Sequence, residues 1–97
     1  MNALNMPKVI PEIAEYQQNY LAAVLAGSGR QADKVVEAAL ENSVAVNQVY
    51  LDIFQHTGYK IGELWQRNEI SVAREHLATA IIERQMGELH PLFKSQA

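Results

Sequence analysis

Residues 46–65 read VNQVYLDIFQHTGYKIGELW. Within them Val46, Val49, Tyr50, Ile53, Phe54, Thr57, Ile61, Leu64 and Trp65 recur at steps of three and four, which is the spacing of one helical face, and no alternation of strand type occurs. Outward from this stretch nothing forbids more helix. The prolines are Pro7, Pro11 and Pro91, so Ile13 to His90 holds no residue that removes a helical donor.

The upstream residues Gly29 to Glu41 place Ala32, Val35, Val36, Ala39 and Leu40 on one stripe. Ser28 and Gln31 have capping-box spacing, and Asn42-Ser43 offers a stop. Earlier still, Pro11 suits a first helical turn, and Ile13, Tyr16, Tyr20, Val24 and Leu25 share a face ending at Gly27, which predicts a first helix of about Pro11 to Ala26. Downstream, Gln66-Arg67-Asn68-Glu69 breaks the pattern, Ser71 can cap, and Val72 to Leu89 resumes it with Leu77, Ala78, Ala80, Ile81 and Ile82. Four helices on short connections predict an all-α, antiparallel four-helix bundle. The expected organisation is a flexible segment at 1–10, the bundle at 11–90 and a fraying tail at 91–97.

The chain has 97 residues, 48% of them hydrophobic, enough for one core but not two. A complete dinucleotide-binding domain with a partner domain, or a barrel, has no room here. Eight basic residues against eleven acidic ones, with no basic run, argue against direct nucleic-acid binding. The absence of cysteine excludes disulfides and thiolate chemistry and fits the cytoplasm. No apolar run approaches the ~20 residues of a membrane span, and the first residues lack the order of a signal peptide.

Metal chemistry in a bundle usually uses Glu-x-x-His pairs on facing helices, whereas here the residue three before His56 is Ile53, before His76 is Ala73, and before His90 is Gly87. Phosphate-loop, serine-elbow and zinc-peptidase motifs are also missing. An enzyme contained in this chain is therefore the weakest hypothesis, because Glu75 and His76 would act with no nucleophile or oxyanion donor arranged around them. Gly58 and Gly62 sit inside the third predicted helix, each costing about 0.5–1 kcal/mol relative to alanine. Close packing against a neighbouring helix is the commoner reason for such glycines, and room for a ligand beside Trp65 is the sharper one.

The densest cluster is Trp65, nine residues, then Glu75-His76, within Ile61-Gly62-Glu63-Leu64-Trp65 and Ile70-Ser71-Val72-Ala73-Arg74-Glu75-His76-Leu77-Ala78-Thr79-Ala80. It resembles the helical cap that precedes the cobalamin-binding core in methionine synthase and in cobalamin-dependent sensors and transcriptional regulators. The spacing is most similar to the subgroup that holds adenosylcobalamin, light-sensing regulators included. Tyr20-Leu21-Ala22-Ala23-Val24-Leu25-Ala26-Gly27 resembles that family's first-helix ending and Val49-Tyr50-Leu51-Asp52-Ile53 its third-helix opening, so the similarity runs from about Tyr16 to Phe93.

The resemblance implies a cap over the upper face of the corrin ring, shielding a weak cobalt–carbon bond while a core domain, in cis or in trans, supplies the lower histidine. Trp65 would pack on the upper ligand, Glu75 and His76 would line the same pocket, and Gly62 and Thr79 would flank it. A corrin, with its apolar rim and its amide and ribose edges, suits one large aromatic and a few placed polar groups. Adjacent helical residues lie about 100° apart, so Glu75 and His76 cannot both point inward. Three departures accompany the likeness. No Asp-x-His-x-x-Gly occurs, so the lower ligand is expected from elsewhere and the chain is either an excised cap or a stand-alone one. Gln66 stands where light-sensing members can carry a histidine. No helix-turn-helix segment precedes the cap within these residues, so any regulatory output would come from a partner or another region.

Plainer readings stand beside these. A tryptophan ending an apolar stripe is most often core, and Glu75 and His76 suit a first-turn carboxylate and a partly buried histidine. His56 and His90 read as surface or packing histidines, and the acidic excess as a solvated face. The leading expectation is a cobalamin-related sensory cap. The alternatives are a repurposed cap for another apolar small molecule and a homo-oligomerising bundle, most simply a dimer.

Overall fold

A computed structural model describes residues 12–95, and among them helices occupy the four stretches that the periodicity predicts, with ends that shift by a few residues. The predicted N-terminal segment 1–10, and Pro11 as a first-turn residue, lie outside the described residues. Helix α1 spans Ile13–Leu25 and α2 spans Gly29–Glu41. Helix α3 is continuous over 46–66, built from an α-helical turn Val46–Gln48, a π-helical segment Val49–Gln55 and an α-helical half His56–Gln66. Helix α4 spans Val72–Ser95.

The helix starts are set by side chains that the sequence singled out. The Gln31 N–H donates to Ser28 Oγ at 3.1 Å, and the Arg74 N–H donates to Ser71 Oγ at 3.0 Å, each satisfying one orphan donor of a first turn. Three helices end on the same C-terminal device. After α1, the N–H groups of Gly27 and Ser28 reach the carbonyls of Val24 and Ala23; after α2, those of Ser43 and Val44 reach Leu40 and Ala39; after α3, those of Asn68 and Glu69 reach Trp65 and Leu64. Gly27, Ser43 and Asn68 take the positive φ this geometry needs, at 71°, 67° and 59°.

The four apolar stripes meet in one core. Tyr16, Tyr20, Ala23 and Val24 of α1 pack with Ala32, Val36 and Ala39 of α2, with Val49, Ile53, Phe54 and Ile61 of α3, and with Ala78, Ile81 and Ile82 of α4. The Phe54 ring sits between two tyrosines, 5.6 Å from that of Tyr20 and edge-on to that of Tyr50 at 5.4 Å. In the π-helical segment two consecutive side chains, Ile53 and Phe54, both reach the core, and the Asp52 carbonyl accepts a hydrogen bond from Gln17 Nε2 at 2.7 Å.

Helix α4 departs from expectation in two ways. It continues to Ser95 with Pro91 inside it, past Leu89 where the apolar pattern ended; a proline removes one donor and crowds one carbonyl, a local cost that here does not end the helix. Its buried face is Ala78, Ile81, Ile82, Gln85 and Leu89, so that the predicted core positions Leu77 and Ala80 are exposed. Gln85 is buried because its side chain is fully used: Oε1 accepts from the Tyr20 hydroxyl, and Nε2 donates to Asp33 Oδ1 at 2.9 Å. The Arg84 guanidinium also donates to Asp33, at 3.2 Å, and to Glu88 at 2.9 Å, linking α1, α2 and α4 through one polar chain.

Candidate functional site

The second half of α3 runs antiparallel to the first half of α4, joined by residues 67–71. The capping bonds to the Trp65 and Leu64 carbonyls stop α3 sharply, and the Ser71 cap starts α4 at once, so Trp65 and Glu75 belong to the same end of the helix pair. Arg74 fixes the rotation of the first turn of α4. Its guanidinium donates to the Leu25 carbonyl at 2.9 Å, placing a cation at the C-terminal end of α1, where the helix dipole favours it.

Trp65 is 47% exposed, so the reading of this tryptophan as core does not hold. A residue that large left half in water on a well-packed bundle presents an apolar surface for something else to cover. Glu75 and His76 divide as the 100° step requires: the Glu75 side chain is 28% exposed, that of His76 is 75% exposed, and His76 Nδ1 lies 3.0 Å from Glu75 Oε2. His76 is accordingly a solvent-facing partner of Glu75, and the expectation of a partly buried histidine is not met.

Gly62 and Gly58 lie one and two turns before Trp65 on the same face. An added Cβ at either would meet no atom within 4 Å, so close packing against a neighbouring helix does not explain them. Their backbone borders open space. Beside Gly58 the two helices enclose a groove of about 410 Å³, floored by Phe54, Ile82 and Met86 and edged by Leu51, Gln55, Thr79 and Glu83. The Tyr50 hydroxyl, which also lines it, donates to the Met86 carbonyl and so ties α3 to α4 at its far end.

Of the five residues predicted to form a binding site, Thr79 is in this groove, Gly62 and Trp65 continue its α3 edge, and Glu75 lies one turn before Thr79 on α4. His76, three residues before Thr79, is exposed at the same end and held against Glu75. The groove is also lined by Leu51, Gln55, Glu83 and Met86, which the sequence pattern did not single out, although the step from Thr79 on to Glu83 is a helical repeat of the face it had identified. A second concavity of about 510 Å³ between α1 and α2, lined by alanines, Tyr16, Asn19 and Lys34 among others, contains no member of the tryptophan and glutamate-histidine pattern.

Among the described residues no group of three or more His, Asp or Glu could hold a metal ion, and no helix is long and apolar enough to cross a membrane. Comparison with known families finds that the model of the family described as "B12 binding domain" matches residues 16–90. Among curated proteins nothing matches the chain.

Proposed function

The chain belongs to the B12 binding domain family, and from its helical cap and cobalamin-associated role we propose that it covers the upper axial face of a corrinoid in a regulatory or signalling protein. Adenosylcobalamin is the form that best suits it, because the Trp65 and Glu75-His76 spacing resembles the subgroup holding that form. On this reading the chain is a cytoplasmic binding module with no catalysis of its own. A core domain, in cis or in trans, supplies the lower face.

The observation that carries the reading is Trp65, half in water at the end of a helix whose preceding glycines face open space. The residues fit such a ligand: bare backbone at Gly62 lets a flat ring edge approach closely, the indole gives a broad apolar contact, and Glu75 and Thr79 offer oxygen atoms to amide or ribose groups. Bound cobalamin supplies a weak cobalt–carbon bond. This chain's residues supply cover, by packing apolar surface over that bond and excluding water from it. A groove of about 410 Å³ cannot enclose a corrin, so the chain contacts one face of it. The same groove suits a smaller apolar molecule, which is the second reading.

Native mass spectrometry in the dark, with and without adenosylcobalamin, tests the proposal. An adduct is expected, and Trp65→Ala should lose at least about tenfold in affinity while unfolding within about 1 kcal/mol of the wild type, as a half-exposed side chain implies. Gly62→Leu should block binding through the space it fills. Equal losses of affinity and stability in Trp65→Ala would return the tryptophan to a structural role, and a retained ligand that is not a corrin would favour the second reading.

A further inference from the structure

Below Trp65, α3 and α4 run side by side for about two further turns. At 1.5 Å per residue, Gly62 and Gly58 lie about 4.5 and 10 Å from Trp65 along α3, and Thr79 and Glu83 about 6 and 12 Å from Glu75 along α4. The groove beside Gly58 is therefore offset from the tryptophan along the same pair of helices, and Gly62, Trp65 and Glu75 do not line it. Its floor of Phe54, Ile82 and Met86 is apolar, and Leu51 on its edge is 57% exposed.

Two features of this groove bear on what it could hold. Gly58 costs helix stability, yet a side chain there would touch nothing. Glu83 is exposed and makes no hydrogen bond or ion pair among the described residues, while its neighbour Arg84 is turned to Asp33 and Glu88 on the other side of α4. The groove thus combines an apolar floor, an open stretch of backbone and a solvated carboxylate on its rim that is free to take a ligand donor.

We propose that the Gly58–Glu83 groove is a second subsite for the same corrinoid, taking an amide-bearing edge of the macrocycle, with Glu83 selecting neutral amides over carboxylates. This rests on the cobalamin reading of the chain. The ring edge packs over Gly58 on the apolar floor, and a peripheral primary amide donates its N–H to Glu83, with Thr79 beside it. A carboxylate only accepts hydrogen bonds, so it complements an amide N–H and repels an acid at the same position. Thr79 and Glu83 are specificity-determining residues, and Trp65 remains the anchor.

The test follows amide resonances of the isotopically labelled chain by NMR in the dark during titration with adenosylcobalamin and with each monocarboxylic acid made by hydrolysing one of its peripheral amides. Expected are shifts at Gly62, Trp65, Glu75 and Thr79 together with shifts at Gly58 and Glu83. At least one acid isomer should bind about three- to tenfold more weakly than the amide, and Glu83→Gln should abolish that discrimination without changing Tm. Shifts confined to Gly62, Trp65, Glu75 and Thr79, with all corrinoids bound equally, would overturn the second subsite and leave the cobalamin reading standing. No shift with any corrinoid would overturn both. Gly58→Leu gives an independent check, since a side chain reaching into the groove should weaken adenosylcobalamin binding and leave folding intact.

Discussion

Tyr20 is fully buried on α1, donates its hydroxyl to Gln85, and through Gln85 reaches the Asp33 carboxylate and Arg84. Burial keeps the phenol protonated; the Arg84 guanidinium opposes this and Asp33 reinforces it, and the net result is a pKa well above the ordinary 10.0. In the unfolded chain the phenol ionises at its ordinary value, so above that pH the unfolded state binds fewer protons than the folded one. Stability contributed by neutral Tyr20 is therefore fully present below about pH 10 and declines as pH rises beyond it. Tyr20→Phe should cost about 1–2 kcal/mol at neutral pH by leaving Gln85 Oε1 without a donor, and its Tm should fall less steeply than the wild type's between about pH 9 and pH 11. Thermal melts across that range decide it. None of this chain was legible in the sequence, because a glutamine on an amphipathic helix reads as solvent-facing until its two partners on other helices are known. Trp65 was the opposite case: its position was plain, and only the packed bundle could show that its ring is half in water.

The helix ends were the most legible feature. Ser28, Ser71 and Gly27 act as their residue types and positions predict, because capping is decided within a few residues. Ser43 is the exception that a sequence pattern cannot price: it adopts φ 67° with a Cβ, where glycine would carry no strain. Ser43→Gly should raise stability by about 0.5–1 kcal/mol, measured by denaturant midpoint at unchanged m-value, and a loss would mean that unfolded-chain entropy outweighs the relieved strain. Helix α3 was legible as one long helix but not in its π-helical segment, since a widened turn leaves no periodic mark beyond the adjacent pair Ile53-Phe54. The passage of α4 through Pro91 was unreadable for a related reason: proline's cost is local, and the sequence does not say whether the rest of a helix offsets it.

A bundle this size ordinarily turns its large apolar side chains inward, yet Leu51, Trp65, Val72 and Met86 remain exposed across α3 and α4. The cover proposed for this surface is a corrinoid with its core domain, and the competing one is a second copy of the chain. Sedimentation velocity separates them: the cobalamin reading expects a monomer at every protein concentration, and a mass doubling that cobalamin reverses would favour the oligomerising bundle. Fold class was legible from periodicity and the resemblance together, whereas the groove was only half so. Trp65, Gly62, Glu75 and Thr79 belong to a recognisable pattern. Gln55 and Glu83 look like any solvated helix surface until α3 and α4 are set side by side. One consequence follows from the division of aromatic residues. The core is built on tyrosine and phenylalanine, and the sole tryptophan stands half-exposed at the end of α3. Indole emission from the unlabelled protein therefore reports events at that end of the helix pair, while circular dichroism of the same sample reports the helices, and binding and unfolding become separately observable without any attached dye.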